Sequence, residues 1–217
     1  MRRIASFWAA GVAVAAALWA PDLEAAFHGL PGGLKFEFDQ IRIGEPVLAP
    51  MAHVRFCLHY RDECQIHGVD FRRRNVALTP DRWSQLNTIN RDVNRAITPE
   101  IIPSGAVNDE WFIAPPAGDC NDYAVTKRHE LLLQGWPSRS LLLSEVVVPS
   151  GEHHLVLVVR TKNIDLVLDN LNANIRSVAM IYPRYRWVRI ETPQNPRLWA
   201  AVRMPDDTRV AMSGEGD

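Results

Sequence analysis

The sequence predicts an α+β domain. Two segments carry helical periodicity, residues 80–97 and 120–134, and four β-like runs follow them toward the C-terminus. The composition is that of a folded chain: 47% of the 217 residues are hydrophobic, and 24 basic side chains nearly balance 25 acidic ones. These values exclude a disordered tail and a collagenous repeat. A net charge of −1 gives no long-range field to steer DNA, RNA or an anionic lipid surface, so no nucleic-acid partner is expected.

The first 26 residues read as an address. Arg2 and Arg3 form a basic start, Ile4 to Trp19 is uncharged and alanine-rich, and Ala20, Ala25 and Ala26 supply small residues where cleavage would fall. Export with cleavage is the expectation, with an uncleaved membrane anchor as the alternative, because the apolar run falls little short of the ~20 residues that span a bilayer. The rest, roughly 190 residues, suits one domain burying about 70% of its unfolded surface. Residues 27–50 read as an N-terminal arm, with alternation at Leu34, Phe36, Phe38, Ile41 and Ile43 and then a proline-containing loop to Pro50. The domain proper spans 51–203, and the polar residues 204–217 read as a flexible tail.

Three cysteines cannot all pair. Cys57 and Cys64 are close in sequence and Cys120 is remote, so in an oxidising compartment the simplest partition is a Cys57–Cys64 disulfide with Cys120 kept as a thiol. Two buried unpaired cysteines are the alternative. His53, Cys57, His59, Cys64 and His67 also invite a zinc reading, but their spacing matches no common zinc pattern.

Thr79-Pro80-Asp81 opens the first helix, with threonine as N-cap and proline where no donor is needed; Trp83, Leu86, Ile89, Val93 and Ile97 recur at helical spacing for packing in the core. Residues 103–118 are loop-like and end at Gly118-Asp119-Cys120. The second helix places Tyr123, Ala124, Leu131 and Leu132 on its apolar side, with Lys127, Arg128 and Glu130 mostly elsewhere, and stops at Gly135-Trp136-Pro137. The β-like runs are 138–148, 154–160, 164–168 and 180–190.

A thiol in the first turn of a helix faces backbone N–H groups and the positive end of the helix dipole, which favour thiolate. Cys120 is so placed. A base and an orienting acceptor complete such a site, and His153, His154 and Asp169 are the later candidates. If 154–160 and 164–168 form a hairpin with a two-residue loop, Asp169 sits opposite Val156 and diagonal to His154. A three-residue loop would select His153 instead.

Gly118-Asp119-Cys120-Asn121-Asp122-Tyr123-Ala124, with Trp111 and Pro115 before it and Lys127-Arg128 after, resembles the cysteine region of the bacterial transglutaminase-like cysteine proteinases. His154 to Val159 and Leu166 to Leu171 resemble that family's histidine and aspartate segments in the same order, and Phe56-Cys57 with Cys64 resembles its N-terminal cysteine pair. The resemblance implies a papain-like, transglutaminase-core fold in which the cysteine helix packs on an antiparallel sheet. It implies Cys120 as nucleophile, His154 as base and Asp169 as orienter, with Trp111 as a candidate for shielding the site. The implied activity is peptide-bond hydrolysis through a thioester, needing no cofactor for the chemistry. Acyl transfer to an amine and a catalytically silent, calcium-responsive binding module are the alternatives.

Relatives that process surface adhesins bind Ca²⁺ through acids beside the cysteine. Asp119, Asn121 and Asp122 are the corresponding residues here, with a neutral amide at 121 where an acid is common. The resemblance further implies a periplasmic or secreted monomer, a protein or peptide substrate, and an inhibitory or sequestering membrane protein as partner.

Overall fold

A computed structural model describes residues 40–67, 75–100 and 110–203. The expected signal or anchor at 1–26, most of the arm, and the tail at 204–217 lie outside the described residues. No helix among the described residues is long and apolar enough to cross a membrane.

The first strand, β1 (Arg42–Val47), begins near the end of the expected arm strand and continues through Pro46. Proline is tolerated because β1 is an edge strand and its pairing with the last strand is irregular between Ile43 and Pro46. A helix that periodicity did not reveal follows, α1 (Met51–His59), with a 3-10 turn at Arg61–Cys64. It buries Ala52, His53, Phe56 and Cys57, yet Met51, Val54 and Leu58 on its outer side are exposed, so apolar residues occupy both faces and the helical contrast is lost.

The proline-opened helix is α2 (Pro80–Ala96); Thr79 Oγ1 accepts the Arg82 N–H at 3.3 Å as its cap. Leu86, Ile89 and Val93 are buried as expected, whereas Trp83 stays 40% exposed. Leaving α2, β2 (Thr98–Pro99) pairs in parallel with β3 (Ala117–Gly118), which leads directly into α3 (Cys120–Leu133). This small sheet ties the exit of one helix to the entry of the next.

After a 3-10 turn at Ser138–Ser140 come β4 (Leu141–Val147), β5 (His153–Arg160), β6 (Asp165–Leu168), β7 (Arg176–Ser177), α4 (Val178–Ile181), β8 (Arg186–Thr192) and β9 (Asn195–Arg203). They form an antiparallel sheet in the order β1-β9-β8-β4-β5-β6-β7. The run read as a strand over 180–190 is in fact a four-residue helix, a turn and then β8; such a helix is too short to show periodicity.

Alternation along β5 defines two cores. Leu155, Leu157 and Val159 join Leu141, Leu143, Leu166 and Leu168 under α2 and α3, while Val156 and Val158 join Leu142, Val167, Val202 and the α4 residues Val178 and Ile181 on the other face. Lys127 and Arg128, expected mostly away from the apolar side of α3, are each only 1% exposed. The physical reason is that α3 is enclosed by α2 and by β5, and Arg128 reaches buried acceptors on Glu63 and Leu141.

Candidate active site

Cys120 is the first residue of α3 and half-buried, and it stands outside the Cys57–Cys64 disulfide. Its position is set by a reciprocal cap. Asp119 Oδ1 accepts the Asn121 N–H at 2.9 Å, while Asp122 Oδ2 accepts the Asp119 N–H at 3.0 Å and Asp122 Oδ1 accepts the Phe112 N–H at 2.7 Å. Asp122 thus turns inward and is 3% exposed. Gly118 is dictated by this arrangement, because a Cβ there would lie 2.2 Å from Asp122 Oδ2. Upstream, Thr98 N–H donates to Pro116 O and Glu100 N–H to Gly118 O; downstream, Tyr123 donates its hydroxyl hydrogen to Ile97 O at 2.6 Å. The start of α3 is therefore held from both sides.

The β5–β6 hairpin closes through Thr161 N–H to Ile164 O, leaving Lys162 and Asn163 as its two-residue loop. Leu157 faces Leu168 and Val158 faces Val167, the register that sets Asp169 diagonal to His154. His154 donates from Nε2 to Asp169 Oδ1 at 2.8 Å, with both side chains buried. His153 points elsewhere and bonds Glu145. Asp169 Oδ1 also accepts the Leu171 N–H at 2.9 Å, and its Oδ2 accepts the Tyr185 hydroxyl at 2.7 Å. Burial would raise the Asp169 carboxyl, but the His154 bond and charge, the Tyr185 hydroxyl and the Leu171 amide outweigh it and hold it at about 2. Burial and the same contact with Asp169 push the Tyr185 phenol upward.

Two charge interactions connect α3 to this pair. Asp119 feels the charge of His154, and Lys127 that of Asp169. Burial lowers the Lys127 ammonium to about 7, against the pull of Asp169, and it raises the Asp119 carboxyl above its ordinary value. Tyr185 and Lys127 escaped the sequence reading as site neighbours: Tyr185 lay within an expected strand, and Lys127 resembled a solvated helix charge. Only the helical offset of seven from Cys120 could have placed Lys127 on the same side of α3.

Trp111, the candidate for shielding the site, belongs to the core cluster against which Cys120 packs. It is 4% exposed and packs against the rings of His53 and Phe56, at centroid distances of 5.7 Å and 6.1 Å, so it anchors the loop before α3 in the core.

A second assembly repeats the same residue types beneath α1. His53 Nδ1 accepts the Trp199 Nε1–H at 3.2 Å, its Nε2 donates to Glu191 Oε1 at 3.0 Å, and Cys57 Sγ lies 3.5 Å from that nitrogen. His53, Cys57 and Cys64 are close enough together to suggest a metal site. Their two sulfurs are bonded to each other, which removes the thiolates that zinc requires.

A family model for the bacterial transglutaminase-like cysteine proteinases (BTLCP) matches residues 43–207. The chain belongs to this family. As a transglutaminase-like cysteine proteinase it is a cysteine peptidase with a mixed helix and antiparallel-sheet fold. It is also similar to solved structures of Legionella pneumophila LapG. The calcium-bound form is 27% identical over 58% of this chain and 71% of that chain, with a TM-score of 0.48. A second LapG structure is 25% identical over 63% and 77% (TM-score 0.48), and an EGTA-treated one 25% identical over 60% and 75% (TM-score 0.47). A search of curated proteins found no match.

Proposed function

We propose that this transglutaminase-like cysteine proteinase hydrolyses a peptide bond of a protein substrate with Cys120, His154 and Asp169, in the periplasm or outside the cell. The observation that carries the reading is the 2.8 Å bond from His154 Nε2 to Asp169, in a chain whose remaining cysteine opens the helix packed on the histidine strand. That bond fixes the tautomer in which Nδ1 is the basic nitrogen.

Nδ1 takes the Cys120 proton as Sγ attacks the substrate carbonyl carbon. The resulting oxyanion accepts the Cys120 backbone N–H at the positive end of the α3 dipole. His154 then gives its proton to the departing amine, which leaves a thioester on Cys120. Water attacks that thioester with Nδ1 as base, releasing the acid product and restoring the thiol. Asp169 stays ionised throughout and supports the imidazolium. The same reading takes a surface adhesin as substrate and a sequestering membrane protein as regulator.

For calcium, Asp119 and Asn121 are the candidate oxygen donors. Each Asp122 oxygen accepts one backbone donor and each Asp119 oxygen one bond from Asn121, so Ca²⁺ at this turn would take the rest of its 6–8 oxygens from backbone carbonyls and water. No step depends on the ion. Excess EGTA is expected to reduce turnover less than tenfold; complete, calcium-reversible loss would return the ion to the mechanism.

Alkylation tests the site directly. Iodoacetamide should label Cys120 well below pH 8, the ordinary thiol range, and His154→Ala should abolish that advantage. Labelling that begins only above pH 8 in the unaltered protein would overturn the thiol site. Mass analysis of the product then separates water from an amine as the acyl acceptor.

A further inference from the structure

A cavity of about 720 Å³ lies on the sheet face of the second core, within the usual range for ligand sites. The β4–β5 turn (Val147, Val148, Pro149, Gly151) forms one wall, and the segment from Tyr182 to Trp187 forms the other. Arg184 and Arg186 line it and no acidic side chain does. Both arginines are exposed, and their guanidinium groups make no hydrogen bond or ion pair with the described residues. Trp187, also in the lining, is 7% exposed and its Nε1–H has no acceptor among them. Two exposed cations with no facing acid favour carboxylate oxygens, and the aromatic walls favour apolar side chains between them.

The cavity adjoins the catalytic pair on two sides. The Tyr185 ring lines it while the Tyr185 hydroxyl donates to Asp169 Oδ2, and the β4–β5 turn runs within three residues into His154. We propose that this cavity is a docking site for an acidic segment of the protein substrate, lying beyond the residues that undergo cleavage. The proposal rests on the peptidase reading. Its volume exceeds the need of a single carboxylate, and its charge complements an extended chain that alternates acidic and apolar residues.

A fluorescein-labelled decapeptide of alternating Glu and Leu, titrated into the full chain and followed by anisotropy, tests it. The paired variant Arg184→Glu/Arg186→Glu should raise Kd at least tenfold, as should 0.5 M NaCl, whereas Arg91→Glu on the exposed face of α2 should not. Trp187→Phe should remove the change in protein fluorescence that accompanies binding. Unchanged affinity in the paired variant overturns the docking site.

Iodoacetamide labelling of Cys120 in the same samples reads the peptidase reading separately, and it should be equal in the unaltered protein and the paired variant. Asp206→Asn/Asp207→Asn should leave Kd unchanged; a tenfold tighter Kd would assign the cavity to the chain's own acidic tail and overturn the proposal. Binding to phosphatidylglycerol vesicles without binding of the peptide would make it a lipid site and overturn it equally.

Discussion

Two buried histidines each donate Nε2–H to a buried carboxylate, His154 to Asp169 and His53 to Glu191, and each pair lies in the same domain as a cysteine. Residue type alone does not distinguish them. The difference lies in the second ring nitrogen and in the sulfur. His53 Nδ1 is occupied by the Trp199 indole and its neighbouring sulfur is oxidised, so neither partner can exchange a proton with a substrate. His154 bonds its carboxylate through Nε2, and the thiol lies on the helix that packs against its strand. A Cys-His-acid set becomes chemistry only where the sulfur remains a thiol and one imidazole nitrogen remains basic.

The largest effects should fall on one assembly and leave the other's activity untouched. Cys120→Ala should abolish peptide hydrolysis while preserving the fold, measured by turnover and by thermal unfolding. Cys57→Ala/Cys64→Ala should keep turnover within about fivefold yet cost about 2–3 kcal/mol of stability, as expected for a short disulfide loop. Equal loss of turnover in both variants would erase the distinction.

His154→Ala is expected to lower kcat by about 10³-fold or more, as loss of a triad base does. His53→Ala should instead lower stability by about 1–3 kcal/mol, because Glu191 Oε1 and the Trp199 indole lose their buried hydrogen-bond partner while Arg128 and the Leu143 amide still hold Glu191 Oε2, with kcat retained in the folded fraction. An inactive, stable His53 variant would move catalysis to the wrong assembly.

Asp169→Asn should reduce kcat by about 10²-fold, between His154→Ala and His153→Ala, since the amide no longer favours imidazolium. The acid range sharpens the contrast. The Asp169 carboxyl is held at about 2, below its ordinary value of 3.8, so its contribution to stability is complete above about pH 4 and disappears as pH falls toward 2. Tyr185→Phe removes one donor and should shift that loss to higher pH, with less than tenfold effect on kcat. His153→Ala, which removes an imidazole bonded to Glu145, should change kcat by less than about twofold.

The start of α2 was legible because Thr79-Pro80 states a cap in two residues, whereas the β5–β6 register stayed open between a two-residue and a three-residue loop because β5 is apolar on both faces, and only the family resemblance chose His154. Arithmetic on residue numbers brought Asp169 within reach of one of the two adjacent histidines, His153 or His154, without choosing between them. Tyr185 could not be placed so, because its hydroxyl reaches Asp169 from a turn that follows an unpatterned four-residue helix. β9 was missed for another reason: Pro196 sits near its start, and a strand paired on both sides needs no polar alternation to announce itself. Buried Lys127 and Arg128 show the same limit at α3, where charge suggested solvent and only the assembled layers show enclosure.

The seven-residue separation of Cys57 and Cys64 governs events before the fold exists. In an unfolded chain meeting an oxidant, ring closure over a span roughly eight times shorter is favoured by about 20-fold over closure onto Cys120. The first bond formed is thus most often the one that belongs in the final protein, and the Cys120 sulfur is spared by kinetics before any tertiary contact can shelter it. Moving the pair apart in sequence, even at identical final geometry, would send more nascent chains into a dead-end pairing with Cys120.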